Sequence, residues 1–210
     1  MLGLPASTEL NRRIPKQKIY GKCELSPALK KAFSAQIASI HWRNKIAPEV
    51  LSLAAGKEVQ ELEVFELRLN DGQVGEAVLR LIDRAIPYHI LFVLVWEDRM
   101  RLAVAYKETP DAKSAGVRVE RYYHTDWMPV GEVVLRLEGL SMDAVYESFV
   151  RQIAGDALDG QSASLKESVA EQGRREHLAK QIAALEAKIR REKQPKKKFE
   201  LVTQLRELHK

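Results

Sequence analysis

The densest set of residues able to do chemistry is the run Tyr122-Tyr123-His124-Thr125-Asp126-Trp127. Two phenols, an imidazole and a carboxylate at the end of a predicted strand could donate protons or stack a base. The same residues also read as an aromatic strand entering a turn at Pro129, and that structural reading is the preferred one. Metal-dependent nuclease chemistry needs carboxylates and a lysine converging on a cation. Glu63 and Glu66 share a predicted strand, but their odd spacing sends them to opposite faces. Lys107-Glu108 closes another strand, and no Asp followed by Glu-x-Lys appears in the expected order. Gly72-Gln73-Val74-Gly75 lacks the third glycine and the lysine of a phosphate loop. His41, His89, His124, His177 and His209 are scattered, with no pair at helical metal-ligand spacing. Cys23 is the lone cysteine, so neither an internal disulfide nor a cysteine metal cluster is expected. No serine or cysteine sits in a nucleophile elbow. From these residues we expect no catalytic group, no metal ligand and no cofactor.

Cations are the more informative set. Residues 1–50 hold nine Lys/Arg against three Asp/Glu, a net +6; residues 51–159 hold 12 against 19, a net −7; residues 160–210 hold 13 against seven, a net +6. An acidic middle is thus bracketed by two basic ends, which favours an anionic partner at the ends. Near the N-terminus Arg12, Arg13, Lys16 and Lys18 interleave with Ile14, Ile19 and Tyr20. That pattern suits a phosphate-binding arm, or an arm that docks Ile14 and Tyr20 on the core and leaves its charges in water, and the second is the preferred reading. Near the C-terminus Arg190, Arg191, Lys193, Lys196, Lys197 and Lys198 crowd one segment. Both groups are the candidate nucleic-acid-binding residues.

The elements that must position these groups are legible from periodicity and caps. Residues 5–20 read as a short helix capped by Ser7 or Thr8 and stopped by Pro15, followed by an extended stretch. Ser26-Pro27 is a helix start, with Leu29, Phe33 and Ile37 at spacings of four on one face. Residues 40–46 and 59–69 read as strands, with Asn70-Asp71-Gly72 as a turn. Val74, Val78, Leu79 and Ile82 mark an amphipathic helix ending before Pro87. Residues 88–96 and 101–107 form a predicted hairpin around Glu97-Asp98-Arg99; the first strand is almost continuously apolar, as a central strand would be. A polar loop over 109–116 leads to a strand at 117–123. Val133, Leu135 and Leu137 alternate as a further strand, and Ser141 caps a helix whose buried stripe is Val145, Phe149 and Ile153. GDALDGQSAS, residues 155–164, is the candidate linker. Beyond it Leu178, Ile182, Leu185 and Ile189 step by four, three and four, a short coiled-coil seam. After the break at Gln194-Pro195, Val202 and Leu205 continue an apolar stripe on a second helix. Neither short helix can bury its stripe alone, so the two are expected to fold back as a basic hairpin.

Several segments taken together resemble a known family. They are LPASTELNRRIPKQKIY, IHWRNKIAPEVLSLAAGKEVQELEVFELRL, AVLRLIDRAIPYHILFVL and AALEAKIRREKQPKKKFELVTQLREL. In this order they are similar, across nearly the whole chain, to a bacterial family catalogued as domain of unknown function 4391. That family has no assigned catalytic residues, so no roles transfer. What the resemblance implies is context: its members tend to accompany helicases and DNA methyltransferases in restriction-like or phage-defence gene clusters. That is association, not mechanism.

The expected fold is α+β: a mixed or mostly antiparallel sheet of five to six strands, helices on one side, and the C-terminal hairpin. The expected organisation is a core domain with a basic N-terminal arm over 1–155, a linker over 156–163 and the hairpin over 164–210. No apolar run reaches the roughly 20 residues of a membrane span, and MLGLPASTEL lacks a signal-peptide pattern, so a cytoplasmic location is expected. The expected function is a non-catalytic accessory subunit. It binds a helicase or methyltransferase through the seam Leu178, Ile182, Leu185, Ile189, Val202 and Leu205 or through its acidic middle, and DNA or RNA through its basic ends. The alternatives are a divergent metal-dependent nuclease and a structural domain whose hairpin self-associates.

Overall fold

The computed structural model describes residues 2–22, 25–108, 118–158 and 164–208. The expected loop over 109–116 and much of the expected linker lie outside the described residues. The chain divides into two compact units, Met1–Gly155 and Asp156–Lys210.

The first unit opens with a 3-10 turn, Ala6–Thr8, then β1 (Glu9–Ile14), α1 (Lys16–Tyr20) and α2 (Pro27–Gln36). β2 (Ile37–Ile46), α3 (Pro48–Leu51), β3 (Leu62–Leu69), α4 (Glu76–Ala85) and β4 (His89–Trp96) follow. β5 (Arg99–Glu108), β6 (Arg118–His124), the two-residue β7 (Met128–Pro129) and α5 (Met142–Ala154) complete it. The strands lie in the order β1-β2-β3-β4-β5-β6, with β7 added beside β5. All pairs are antiparallel except β3–β4, which run parallel because α4 carries the chain back between them.

The local chemistry explains the element ends. Ser26 accepts a hydrogen bond from the Leu29 amide at 3.2 Å, and Pro27 occupies the first helical position. Ser141 caps α5 through the Ala144 amide at 3.3 Å. Glu97 adopts φ 53°, the left-handed conformation a two-residue hairpin turn needs. Gly72, at φ +70°, lies under the Trp96 indole, where an added Cβ would come within 2.6 Å of the ring.

Both faces of the sheet are covered. On one, α1, α2 and α4 bring Ile19, Phe33, Leu79 and Ile82 onto Phe65, Leu67, Phe92, Leu94 and Ala103. β4 alternates, so His89, Leu91, Val93 and Val95 point the other way. There α5 covers them: the Tyr146 ring meets His89 at 4.5 Å, and its hydroxyl donates to the Ala105 carbonyl. That double coverage is why β4 is buried along nearly its whole length. The fold class is the α+β arrangement with a mostly antiparallel sheet that the sequence suggested, but the helices lie on both faces rather than on one.

Two segments differ from the sequence reading. Residues 9–14 form the edge strand β1 and the helix comes after Pro15, the reverse of the expected order, because Pro15 serves as the N-cap of α1. Val133 and Leu135 are buried without joining the sheet; the Leu135 amide instead donates to the Leu2 carbonyl at 3.0 Å.

The second unit holds α6 (Leu165–Arg191) and α7 (Pro195–Leu208), with Ser164 capping α6 through the Glu167 amide at 3.2 Å. They are two helices in contact, not one rod.

Candidate nucleic-acid interface and a pocket under the first helix

α6 ends at Arg191 because Glu192 turns extended (φ −74°, ψ 125°) and Pro195 is tolerated only at a helix start. The six C-terminal candidate cations fall at this break. Arg190 and Arg191 sit in the last turn of α6, where positive charge complements the helix dipole. Lys193 lies in the connection, and Lys196, Lys197 and Lys198 occupy the first turn of α7, which carries no acidic residue. Three lysines at a helix N-terminus oppose the dipole, so this placement costs stability. All six side chains are exposed. Among the described residues none of the six is ion-paired, whereas further back on α6 Arg174 and Arg175 pair with Glu171 at 2.5 and 3.4 Å. Lys188, Arg191 and Lys197 line a groove of about 510 Å³ between the two helices, together with Glu192 and Glu200.

The seam is partly covered. Ile182, Leu185, Ile189, Val202 and Leu205 are half-buried, and Leu178 is 38% exposed. Phe199, at the start of α7, is 70% exposed.

The N-terminal cations are separated rather than gathered. Arg12 pairs across from Trp42 and Arg13 from His41, which places them on opposite faces of β1. Charges on an edge strand also discourage pairing with foreign strands. The Lys16 ammonium donates to the Ile37 carbonyl, and Lys18 turns to the mouth of a pocket.

That pocket, of about 220 Å³, lies beneath α1 and has walls that include Ile14, Ile19, Trp42, Phe65 and Tyr88. Glu63 lines it, only 2% exposed, with Oε2 accepting the Trp42 indole N–H at 2.6 Å. Trp42 stacks on Phe65 with centroids 6.1 Å apart and planes 11° from parallel. Burial pushes the Glu63 carboxyl up to about 7, against the pull of the Trp42 hydrogen bond; neighbouring Glu61 adds to the rise and Lys45 opposes it. Lys18 and Lys22 complete the lining. Glu63 does not stand out as a site residue from sequence alone. The available signal was a carboxylate on the same strand face as Phe65, Leu67 and Leu69.

The other buried carboxylates, Glu66 and Asp83, are paired, and half-buried Asp143 is held by backbone amides. Glu66, fully buried on the opposite face, accepts from Arg43 Nε at 2.7 Å and Arg68 Nε at 3.1 Å. Asp83 faces Lys107 Nζ at 2.8 Å and accepts the Tyr122 hydroxyl, while Lys107 also donates to the Tyr88 carbonyl at 3.0 Å. Asp143 accepts the amides of Lys57 and Val59 at 2.6 and 2.8 Å. Burial drives His89 down to about 4, with Lys107 adding to the effect, so it is neutral near pH 7. In the run Tyr122–Trp127, Tyr122 is held by Asp83, Thr125 Oγ1 accepts the Leu102 amide at 3.0 Å and Trp127 lies edge-on to Trp96 at 6.4 Å, while buried His124 Nδ1 has no hydrogen-bond partner among the described residues. Among the described residues no three His, Cys, Asp or Glu side chains converge where they could hold a metal ion. No helix among them is long and apolar enough to cross a membrane.

The model of one family, domain of unknown function (DUF4391), matches residues 2–210. The chain belongs to that family. No curated protein and no solved structure matches it. The DUF4391 match spans the α+β unit and the helical unit together, so both the pocket and the cationic turn lie within the family's domain.

Proposed function

We propose that this DUF4391 protein is an accessory subunit that holds nucleic acid against the cationic turn of its helical unit. One observation carries the reading: Lys196, Lys197 and Lys198 sit where the α7 dipole disfavours them, exposed and without an acidic partner among the described residues. A phosphate backbone relieves that repulsion, and release of its counterions drives the binding. The partner is a helicase or DNA methyltransferase, by the gene context of the family, and the seam Leu178, Ile182, Leu185, Ile189, Val202 and Leu205 is its docking stripe. The exposure of Phe199 favours a second reading, in which that stripe pairs two copies of the chain.

Fluorescence polarisation of the full chain with labelled single-stranded DNA, duplex DNA and RNA tests the first reading. Replacing Lys196, Lys197 and Lys198 with glutamate is expected to weaken binding and lower the salt slope by about 2–3. Equal binding by wild type and variant at low salt, or no binding by either, removes the turn from the role. Light scattering of wild type against Leu185→Asp/Val202→Asp separates self-pairing from docking to a helicase or methyltransferase.

A further inference from the structure

Among the buried carboxylates described in the α+β unit, Glu63 alone borders a pocket and makes no direct ion pair. Glu66 and Asp83 are met by cations of the chain itself. The Glu63 carboxyl takes the Trp42 indole N–H, has Glu61 and Lys45 as its charged neighbours, and borders a cavity with nearly all-apolar walls. A buried carboxyl without enough donors is costly, and a ligand carrying donors lowers that cost. The volume, about 220 Å³, is below the roughly 300–1,000 Å³ of sites for drug-sized ligands and suits a single planar ring system.

The lining narrows the chemistry. An apolar tail would leave Glu63 facing hydrocarbon. An amine would bring positive charge beside Lys18 and Lys22. A flat ring with N–H donors on its far edge and an anionic group at its near end satisfies all three. Aromatic faces accept bases, carboxylates accept their N–H groups, and lysines take phosphate.

We propose that this pocket binds the base of a nucleotide, with the ring among Trp42, Phe65 and Tyr88, its N–H donors on Glu63, and its phosphate at Lys18 and Lys22. Arg12 lies on the same sheet face as Trp42. The proposal stands apart from the one for the helical unit, which uses none of these residues. A free nucleotide and a base presented by a single strand offer the same chemistry.

Saturation-transfer NMR on the full chain at pH 8 with AMP, GMP, CMP and UMP, the corresponding nucleosides, and ribose 5-phosphate tests it. Saturation is expected on base protons of at least one nucleotide and not on ribose 5-phosphate. Glu63→Gln is expected to weaken that nucleotide about tenfold or more. Lys18→Ala/Lys22→Ala, at two exposed positions, is expected to weaken the nucleotide about tenfold and leave its nucleoside unchanged. Displacement of the bound nucleotide by a short oligodeoxynucleotide assigns the base to a strand, and its retention assigns it to a free nucleotide. Absence of base saturation for all four nucleotides overturns the proposal. So does binding that is unchanged in both variants while their circular dichroism matches wild type and neither melts below it.

Discussion

The two units handle charge in opposite ways. In the α+β unit the carboxylates that enter the core are mostly met there: Glu66 by Arg43 and Arg68, and Asp83 by Lys107. In the helical unit the cations at the turn stay in water, and nothing deeper than Leu165 and Ser168 is fully buried among its helical residues. A charge inside a packed unit must be satisfied by that unit, because desolvation leaves no alternative. A charge on a thin two-helix unit need not be, so it remains free for something else. Glu63 is the contrast in the first unit: a deeply buried carboxyl that takes the Trp42 indole N–H, has Glu61 and Lys45 nearby but no direct ion pair, and borders an apolar pocket.

The largest effects should come from emptying or unbalancing the packed unit. Phe149→Ala removes a fully buried ring and is expected to cost about 3–5 kcal/mol in urea unfolding. Lys107→Met is expected to cost a similar ~3–5 kcal/mol, because it strands Asp83 inside the protein. Adding Asp83→Asn should recover part of that loss; a double variant no better than the single would break the contrast between the units.

Next in size is the pH dependence of Glu63. Its carboxyl ionises near 7 in the folded chain against an ordinary 4.5, so the folded state binds the extra proton. The stability it confers is complete below pH 4.5 and is lost as pH rises through 7. Glu63→Gln, which keeps an acceptor for the Trp42 indole, is therefore expected to stabilise by up to about 3 kcal/mol at pH 8, with the gain vanishing below pH 4.5. His89 slopes the other way: its pKa falls from 6.5 to about 4, so it withdraws stability as pH drops through that range. Between pH 4.5 and 6.5 the Glu63 and His89 contributions thus oppose each other, and the advantage of Glu63→Gln over wild type should grow as pH rises from 4.5 to 7. Urea titrations at pH 4, 6 and 8 read both.

The smallest effects belong to the helical unit. Leu185→Ala, at a half-buried seam position, is expected to cost about 1 kcal/mol, well below Phe149→Ala. Ser164→Ala removes the α6 cap and should cost about 1 kcal/mol, read by hydrogen exchange of the first α6 turn rather than by global unfolding. A seam variant as costly as Phe149→Ala would mean that the stripe is a core and not an available surface.

Local signals were enough for much of the architecture. Ser26-Pro27 and Ser141 mark helix starts because capping chemistry is decided within three residues. The apolar run of β4, the hairpin at Glu97-Asp98 and the break at Pro195 likewise follow from neighbouring residues alone. The cationic turn was legible because a charge run stays a charge run wherever the helices go. By itself, then, the sequence determined most element types, the mostly antiparallel α+β class and the segregation of charge. Only the tertiary structure decided that α5 covers the second face of the sheet, that residues 9–14 pair as an edge strand, and that Val133 and Leu135 stay out of the sheet. It also decided that Glu63 lies in an apolar pocket with Lys18 and Lys22 while Glu66, three residues on, finds Arg43. The physical reason is that an ionisable group takes its chemistry from what surrounds it in space. For Glu63 those surroundings come from β2, α1 and the segment after α4, which only folding brings together.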